Sequence, residues 1–146
     1  MIGIGQEAAG DDAVGFHVVS ALKNRLCPSS VELHAAGDPT ALLDLVEGVD
    51  SVIVVDAIVG PPPGSVHVLD LEAISRAKPG NFSSHGIGVG QAIALARELL
   101  ANPPREIRLV GVGIEAPRRY STALSPLIRA AVARAAEVVL SLTSPA

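Results

Sequence analysis

Residues whose types could do chemistry fall in three short stretches of this sequence: Asp11-Asp12, Asp56, and Ser83-Ser84-His85. Each is polar in apolar surroundings, and each follows a run that reads as strand or opens one that reads as helix. Two carboxylate oxygens and one imidazole nitrogen, with coordination positions left open, would suit a divalent transition metal. The spacing of Asp12, Asp56 and His85 is no local metal motif, so such a site exists only if the fold assembles it. Bland roles are open to the same residues. Asp11 or Asp12 can cap a helix, Asp56 can cap a turn, and His85 can serve a helix start. His17, His34 and His67 lie on the first helix or on or beside short strands, and His34 is the reserve ligand.

The element that must position Asp56 is the run Val52-Ile53-Val54-Val55, β-branched throughout. A run apolar at every position suits a strand buried on both faces of a parallel sheet. Asp56 ends the run. A carboxylate is costly inside such a strand, so it is expected at the carboxyl edge, where open α/β sheets collect ligands.

Upstream, Met1 to Ile4 reads as a short first strand, followed by a glycine-rich loop and a helix beginning near Asp11. Val14, Val18, Leu22 and Leu26 form one stripe of that helix, which Pro28 stops. Val31 to Ala35 is a brief second strand. Asp38-Pro39-Thr40 opens a helix with Pro39 near its first position, and Gly48 ends it. Pro61-Pro62-Pro63-Gly64 is an extended loop. Val66, His67 and Val68 alternate as a half-exposed strand, an antiparallel edge. Leu71 to Asn81 is poorly patterned. Ile87 to Leu100 is a helix packed deep on the sheet, Ile107 to Val112 the last strand, Ala116 to Ser121 a loop, and Ser125 to Leu142 a long helix.

Alternating strands and helices predict an α/β fold: three layers, α/β/α, with a mainly parallel twisted sheet and one antiparallel edge strand or hairpin. In a doubly wound sheet the ends of the first and central strands are neighbours. Asp12 and Asp56 would then face one crevice, with His85 at a helix start nearby.

Composition narrows the class. The 146 residues are 49% apolar and 18% charged, which fits one globular domain spanning 1–146. A net charge of −4, with Arg118-Arg119 the only adjacent basic pair, argues against a nucleic-acid surface. The single cysteine, Cys27, rules out an intramolecular disulfide and fits a reducing, cytoplasmic compartment. No apolar segment approaches the roughly 20 residues that span a bilayer, and no signal peptide is read at the N-terminus. A monomer is expected.

Rival chemistries have weaker support. Gly3-x-Gly5 is a partial dinucleotide fingerprint, but Ala8 stands where its third glycine belongs, and the nearby acids would repel a pyrophosphate. Cys27 lies far from the acidic end of its helix, no G-x-S-x-G elbow exists, and Ser83 or Ser84 beside His85 is adjacency rather than a triad.

Five separated motifs, in order, carry a resemblance. G-I-G-Q-E-A-A-G-D-D-A-V-G at Gly3 to Gly15 resembles the opening of the NiFe-hydrogenase maturation proteases. The stretches Ala35 to Gly60, Pro62 to Asp70, Ser83 to Arg97 and Gly111 to Glu115 resemble that family's later segments. The resemblance implies an endopeptidase that trims a C-terminal extension from the hydrogenase large-subunit precursor, its partner. It implies that Asp12, Asp56 and His85 contact nickel and carry catalysis, choosing Asp12 over Asp11. The nickel would be supplied by the substrate, although another divalent metal could bind the isolated protein. Gln6 stands where the family usually has asparagine and Ala13 where it often has glycine, so Ala13 must take a negative φ. A non-catalytic, chaperone-like member that reads a metalloprotein, and a nucleotide- or phosphate-binding protein, are the alternative functions.

Overall fold

The computed structural model describes residues 1–6, 9–76, 88–115 and 123–144. Five strands make one sheet: β1 (Ile2–Ile4), β2 (His34–Ala36), β3 (Ser51–Val59), β4 (Val66–Asp70) and β5 (Glu106–Ile114). Their order is β2-β1-β3-β5-β4. All neighbours run parallel except β4, which pairs antiparallel with β5 and forms one edge. The α/β class and the antiparallel edge are as expected. The connection direction reverses at β1, which has β2 on one side and β3 on the other.

Five α-helices cover the sheet: α1 (Val14–Leu22), α2 (Leu42–Leu45), α3 (Leu71–Arg76), α4 (Val89–Leu99) and α5 (Pro126–Thr143). Side chains alternate along a strand, so β3 supplies both layers. Its odd positions Ile53, Val55 and Ala57 pack with Val14, Val18 and Leu22 of α1 and Ile128, Ala131 and Ala135 of α5. Its even positions Val52 and Val54 pack with Leu42 of α2, Ile74 of α3, and Val89, Ala92 and Ile93 of α4. Each buried aliphatic side chain contributes roughly 1.5–3 kcal/mol. The two layers together can therefore hold a polar residue in the strand between them.

Asp56 is that residue. The strand does not end there but continues to Val59, because β5 pairs with β3 along its whole length, Asp56 opposite Gly111. β1 stops earlier. Gly3 pairs with Val55, which puts Asp56 level with Ile4, the last residue of β1. The carboxyl edge is staggered: Asp56 is inside its own strand and at the edge of its neighbour.

Local differences from the sequence reading have plain causes. β2 is shorter and later than Val31 to Ala35, since it can pair only with the three residues of β1. Helix α3 falls in the stretch that seemed unpatterned. It starts where Asp70 Oδ1 accepts from the Ala73 N–H at 2.8 Å, and it buries only Ile74, too little to leave a periodic signal. Asp38 caps the 3₁₀ turn Pro39–Ala41 that leads into α2, accepting from the Thr40 N–H at 2.7 Å, as Pro39 at the first position suggested. No helix among the described residues is long and apolar enough to cross a membrane.

Helix α1 lies almost directly on the strands. A Cβ at Gly15 would stand 2.5 Å from the Ile4 carbonyl oxygen and 2.6 Å from that of Val55. Gly15→Ala should therefore destabilise the fold by about 2–3 kcal/mol, the cost of overpacking a rigid contact. A Cβ at Gly90 would meet only Ile74 Cγ2, at an ordinary 3.6 Å. Gly90→Ala should stabilise by about 0.5–1 kcal/mol through helix propensity. Urea denaturation followed by circular dichroism will show the opposite signs.

Candidate functional site

The site begins with a backbone contact. A Cβ at Gly5 would lie 2.3 Å from the Asp12 carbonyl oxygen, so only glycine lets the chain after β1 pass under the turn that follows. That turn, Gly10–Ala13, is a 3₁₀ helix leading into α1. Gly5 N–H donates to the Ala36 carbonyl at 3.1 Å, tying the loop to the end of β2. The result sets Asp12 over the end of β1, beside the β3 residue level with that end.

Asp12 and Asp56 are 6% and 5% exposed, and they are the two buried charged residues of the described structure. Both line one small cavity with Ile4, Gly5, Gly37, Pro39 and Ala57. Its volume is about 10 Å³, space for a single water-sized body. Gln6 N–H donates to Asp12 Oδ2 at 3.2 Å, and Ala57 N–H donates to Asp56 Oδ1 at 2.8 Å. Burial holds the Asp56 carboxyl well above the usual carboxylate range. The negative charge of Asp12 pushes the same way, and the Ala57 N–H opposes them only in part. The cavity lies in the crevice at the β1/β3 switch point, where doubly wound sheets bind ligands.

The acid pair does not cap its own helix. Neither the 3₁₀ turn nor α1 has a side-chain cap. Asp12 turns into the cavity, while Asp11 accepts from the Ser125 N–H at 2.7 Å and the Ser125 hydroxyl at 2.8 Å, ahead of α5. Sequence reasoning had no signal for that contact. Ala13 takes φ −79° and is 2% exposed, so its methyl is accommodated in the core without strain.

His85 lies outside the described residues, as does the loop 116–121. The described chain resumes at Gly88, the N-cap of α4, and α4 packs against the turn Pro39–Ala41, whose Pro39 lines the acid cavity. The other histidines are elsewhere. His34, the reserve ligand, is 3.3 Å from Glu32 and lines a groove of about 420 Å³ at the amino edge of the sheet. It sits at the start of β2, whereas the cavity is at the strand's other end. His67 Nε2 is 2.8 Å from Ser65 Oγ, and His17 lines a groove between α1 and α5. Cys27 is exposed and lines no part of the acid cavity. Among the described residues no three His, Cys, Asp or Glu side chains form a metal-holding group.

Comparison with known proteins decides the family. The sequence profile described as hydrogenase maturation protease matches residues 16–142. The chain belongs to the hydrogenase maturation protease family. It is 29% identical over 147 residues to the hydrogenase 2 maturation protease of Escherichia coli, covering 97% of this chain and 87% of that protein. It is 31% identical over 138 residues to Protein FrxA of Pyrococcus furiosus, covering 91% and 96%. The solution structure of an endopeptidase from Escherichia coli superposes with a TM-score of 0.84 at 29% identity, over 96% of this chain and 88% of that one. A hydrogenase maturating endopeptidase of the same organism gives a TM-score of 0.76 at 26% identity, over 97% and 88%. Membership makes the chain a peptidase of hydrogenase maturation. The profile match spans Asp56 and His85 and begins just after Asp12.

A raised carboxyl has a signed effect on stability. The folded state holds a proton on Asp56 that the unfolded state has released, so stability falls as pH rises from the ordinary carboxylate range to the folded pKa. Asp56→Asn keeps the acceptor for the Ala57 N–H and removes the need to hold a carboxyl protonated on folding. It should raise Tm at neutral pH by some 3 °C, about 1 kcal/mol for a chain of this size. It should also flatten the profile above the ordinary carboxylate range, which thermal melts from pH 4 to 8 will check.

Proposed function

We propose that this protein removes a C-terminal extension from a NiFe-hydrogenase large-subunit precursor, recognising nickel already seated in that substrate. One observation carries the reading: Asp12 and Asp56 are buried side by side in a cavity of about 10 Å³, large enough for one small body and no more. Two acids in such a space resist ionising together, and a divalent cation would let both do so. The cation belongs to the substrate. His85 is the third ligand in this proposal. It stands three positions before Gly88, within about 10 Å of chain reach, and α4 packs against the turn whose Pro39 lines the cavity.

The chain's own residues would then act as follows. Asp12 and Asp56 read the cation, and Asp56 gives up its proton as the cation arrives. His85 completes the contact and fixes the precursor's orientation. Water is the attacking group on the scissile carbonyl, its proton taken by one of the two carboxylates within hydrogen-bond reach. The substrate's nickel can polarise the same carbonyl as a Lewis acid. The protein supplies geometry and the removal of bulk water, in the cytoplasm and as a monomer.

The alternatives lose ground. A phosphate-binding role is disfavoured by two carboxylates in a cavity too small for a phosphate. The chaperone-like role drew on Ala13 and Gln6: the Ala13 methyl is seated without strain, and the Gln6 N–H donates to Asp12 in the cavity.

Mass spectrometry of nickel-loaded precursor tests the proposal. Wild-type protein should release a C-terminal peptide, and nickel-free precursor should stay intact. Asp12→Asn, Asp56→Asn and His85→Ala should each slow release by at least about a hundredfold, the scale for losing a ligand or general base. Unimpaired cleavage by all three variants would refute the assignment.

A further inference from the structure

Adjacent acids in the turn Gly10–Ala13 face opposite ways. Asp12 points into the cavity, and both carboxylate oxygens of Asp11 are taken by one residue, Ser125, 114 positions along the chain. These bonds are short and charge-assisted, at 2.7 and 2.8 Å. The turn itself is a four-residue 3₁₀ helix with no side-chain cap. Such turns have poorer hydrogen-bond geometry than an α-helix and take their shape from what surrounds them. Ser125 precedes α5, an 18-residue helix whose Ile128, Ala131 and Ala135 are packed into the core beside α1. The clamp therefore ties a pliant turn to one of the most firmly packed elements of the molecule.

We propose that Asp11 is a positioning residue: its two-bond clamp on Ser125 holds the turn so that the Asp12 carboxylate stays against Asp56. The inference rests on the reading of Asp12 as a working group of the peptidase site. Asp11 touches neither substrate nor cation. Its charge is dispensable where its shape is kept, because an asparagine accepts from the Ser125 N–H and donates to the Ser125 hydroxyl.

Cleavage kinetics on nickel-loaded precursor, with crystal structures of the wild type and Asp11→Ala, test this. Asp11→Ala should lower kcat by about tenfold to a hundredfold with KM little changed, as a small misplacement of a reacting group does. Asp11→Asn should restore most of kcat. Ser125→Ala, which leaves the N–H bond, should fall between and serves if Asp11→Ala fails to fold. In the Asp11→Ala crystal the Asp12 carboxylate should have moved away from Asp56. If Asp11→Asn is as inactive as Asp11→Ala, Asp11 is itself a ligand or base and the proposal fails. It fails too if folded Asp11→Ala has wild-type kcat, or if its Asp12 carboxylate has not moved. A wild type that never cuts the precursor would remove the protease reading, and the pair of crystal structures would still judge the clamp.

Discussion

Two acids share a buried cavity at the junction of β1 and β3, and the cost of burying charge there is the constraint that the surrounding structure must satisfy. Neither sits on a flexible surface where it could turn to water. Asp56 is fixed in the middle of a nine-residue strand, and Asp12 is fixed by a turn that lies on the strand next door. The aliphatic layers on both faces of β3 supply enough stabilisation to tolerate this arrangement. Burying two acids side by side lowers stability, which is the usual exchange of stability for function.

The approach of the two acids depends on a stagger and on two glycines. β1 ends at Ile4, level with Asp56, while β3 runs on beside β5 to Val59, so the cavity opens where β1 gives out. Gly5 then lets the chain pass under the Asp12 carbonyl, and Gly15 lets α1 settle onto the carbonyls of Ile4 and Val55. A methyl at either place would lift the turn and separate the carboxylates. The glycine-rich opening thus serves close packing of backbone on backbone, which also explains why it resembles a phosphate loop without having the third glycine of one.

Family membership and site geometry answer different questions. Similarity to hydrogenase maturation proteases gives the class of reaction. Resemblance to the family chose Asp12 from the opening pair; that Asp12 lines the cavity, and what its neighbour does, come from coordinates of this chain. Asp11 and Asp12 are chemically identical and adjacent, and they differ only in the direction that the 3₁₀ turn gives each of them. One is drawn to Ser125 and the other to the crevice.

Much of this was legible in the sequence because it depends on local patterns. The Val52–Val55 run marked a doubly buried strand, the His67 alternation marked an antiparallel edge, and Asp38-Pro39 marked a helix start; each of these signals lies within a few neighbouring residues. The prediction that Asp12 and Asp56 share a crevice needed only the doubly wound topology in addition. Other features depended on partners distant in the chain. Whether β3 ends at Asp56 is settled by the length of β5, and α3 by a single capping bond. The raised carboxyl of Asp56 required burial and the proximity of Asp12 together. The Asp11–Ser125 contact joins residues with no shared pattern at all. Sequence by itself determined which side chains were available and which segments would be strands or helices, since hydrophobic period and turn chemistry are written locally. Only the tertiary structure decided how deeply Asp12 and Asp56 are buried and where Asp11 turns instead, because orientation and desolvation arise from packing between elements.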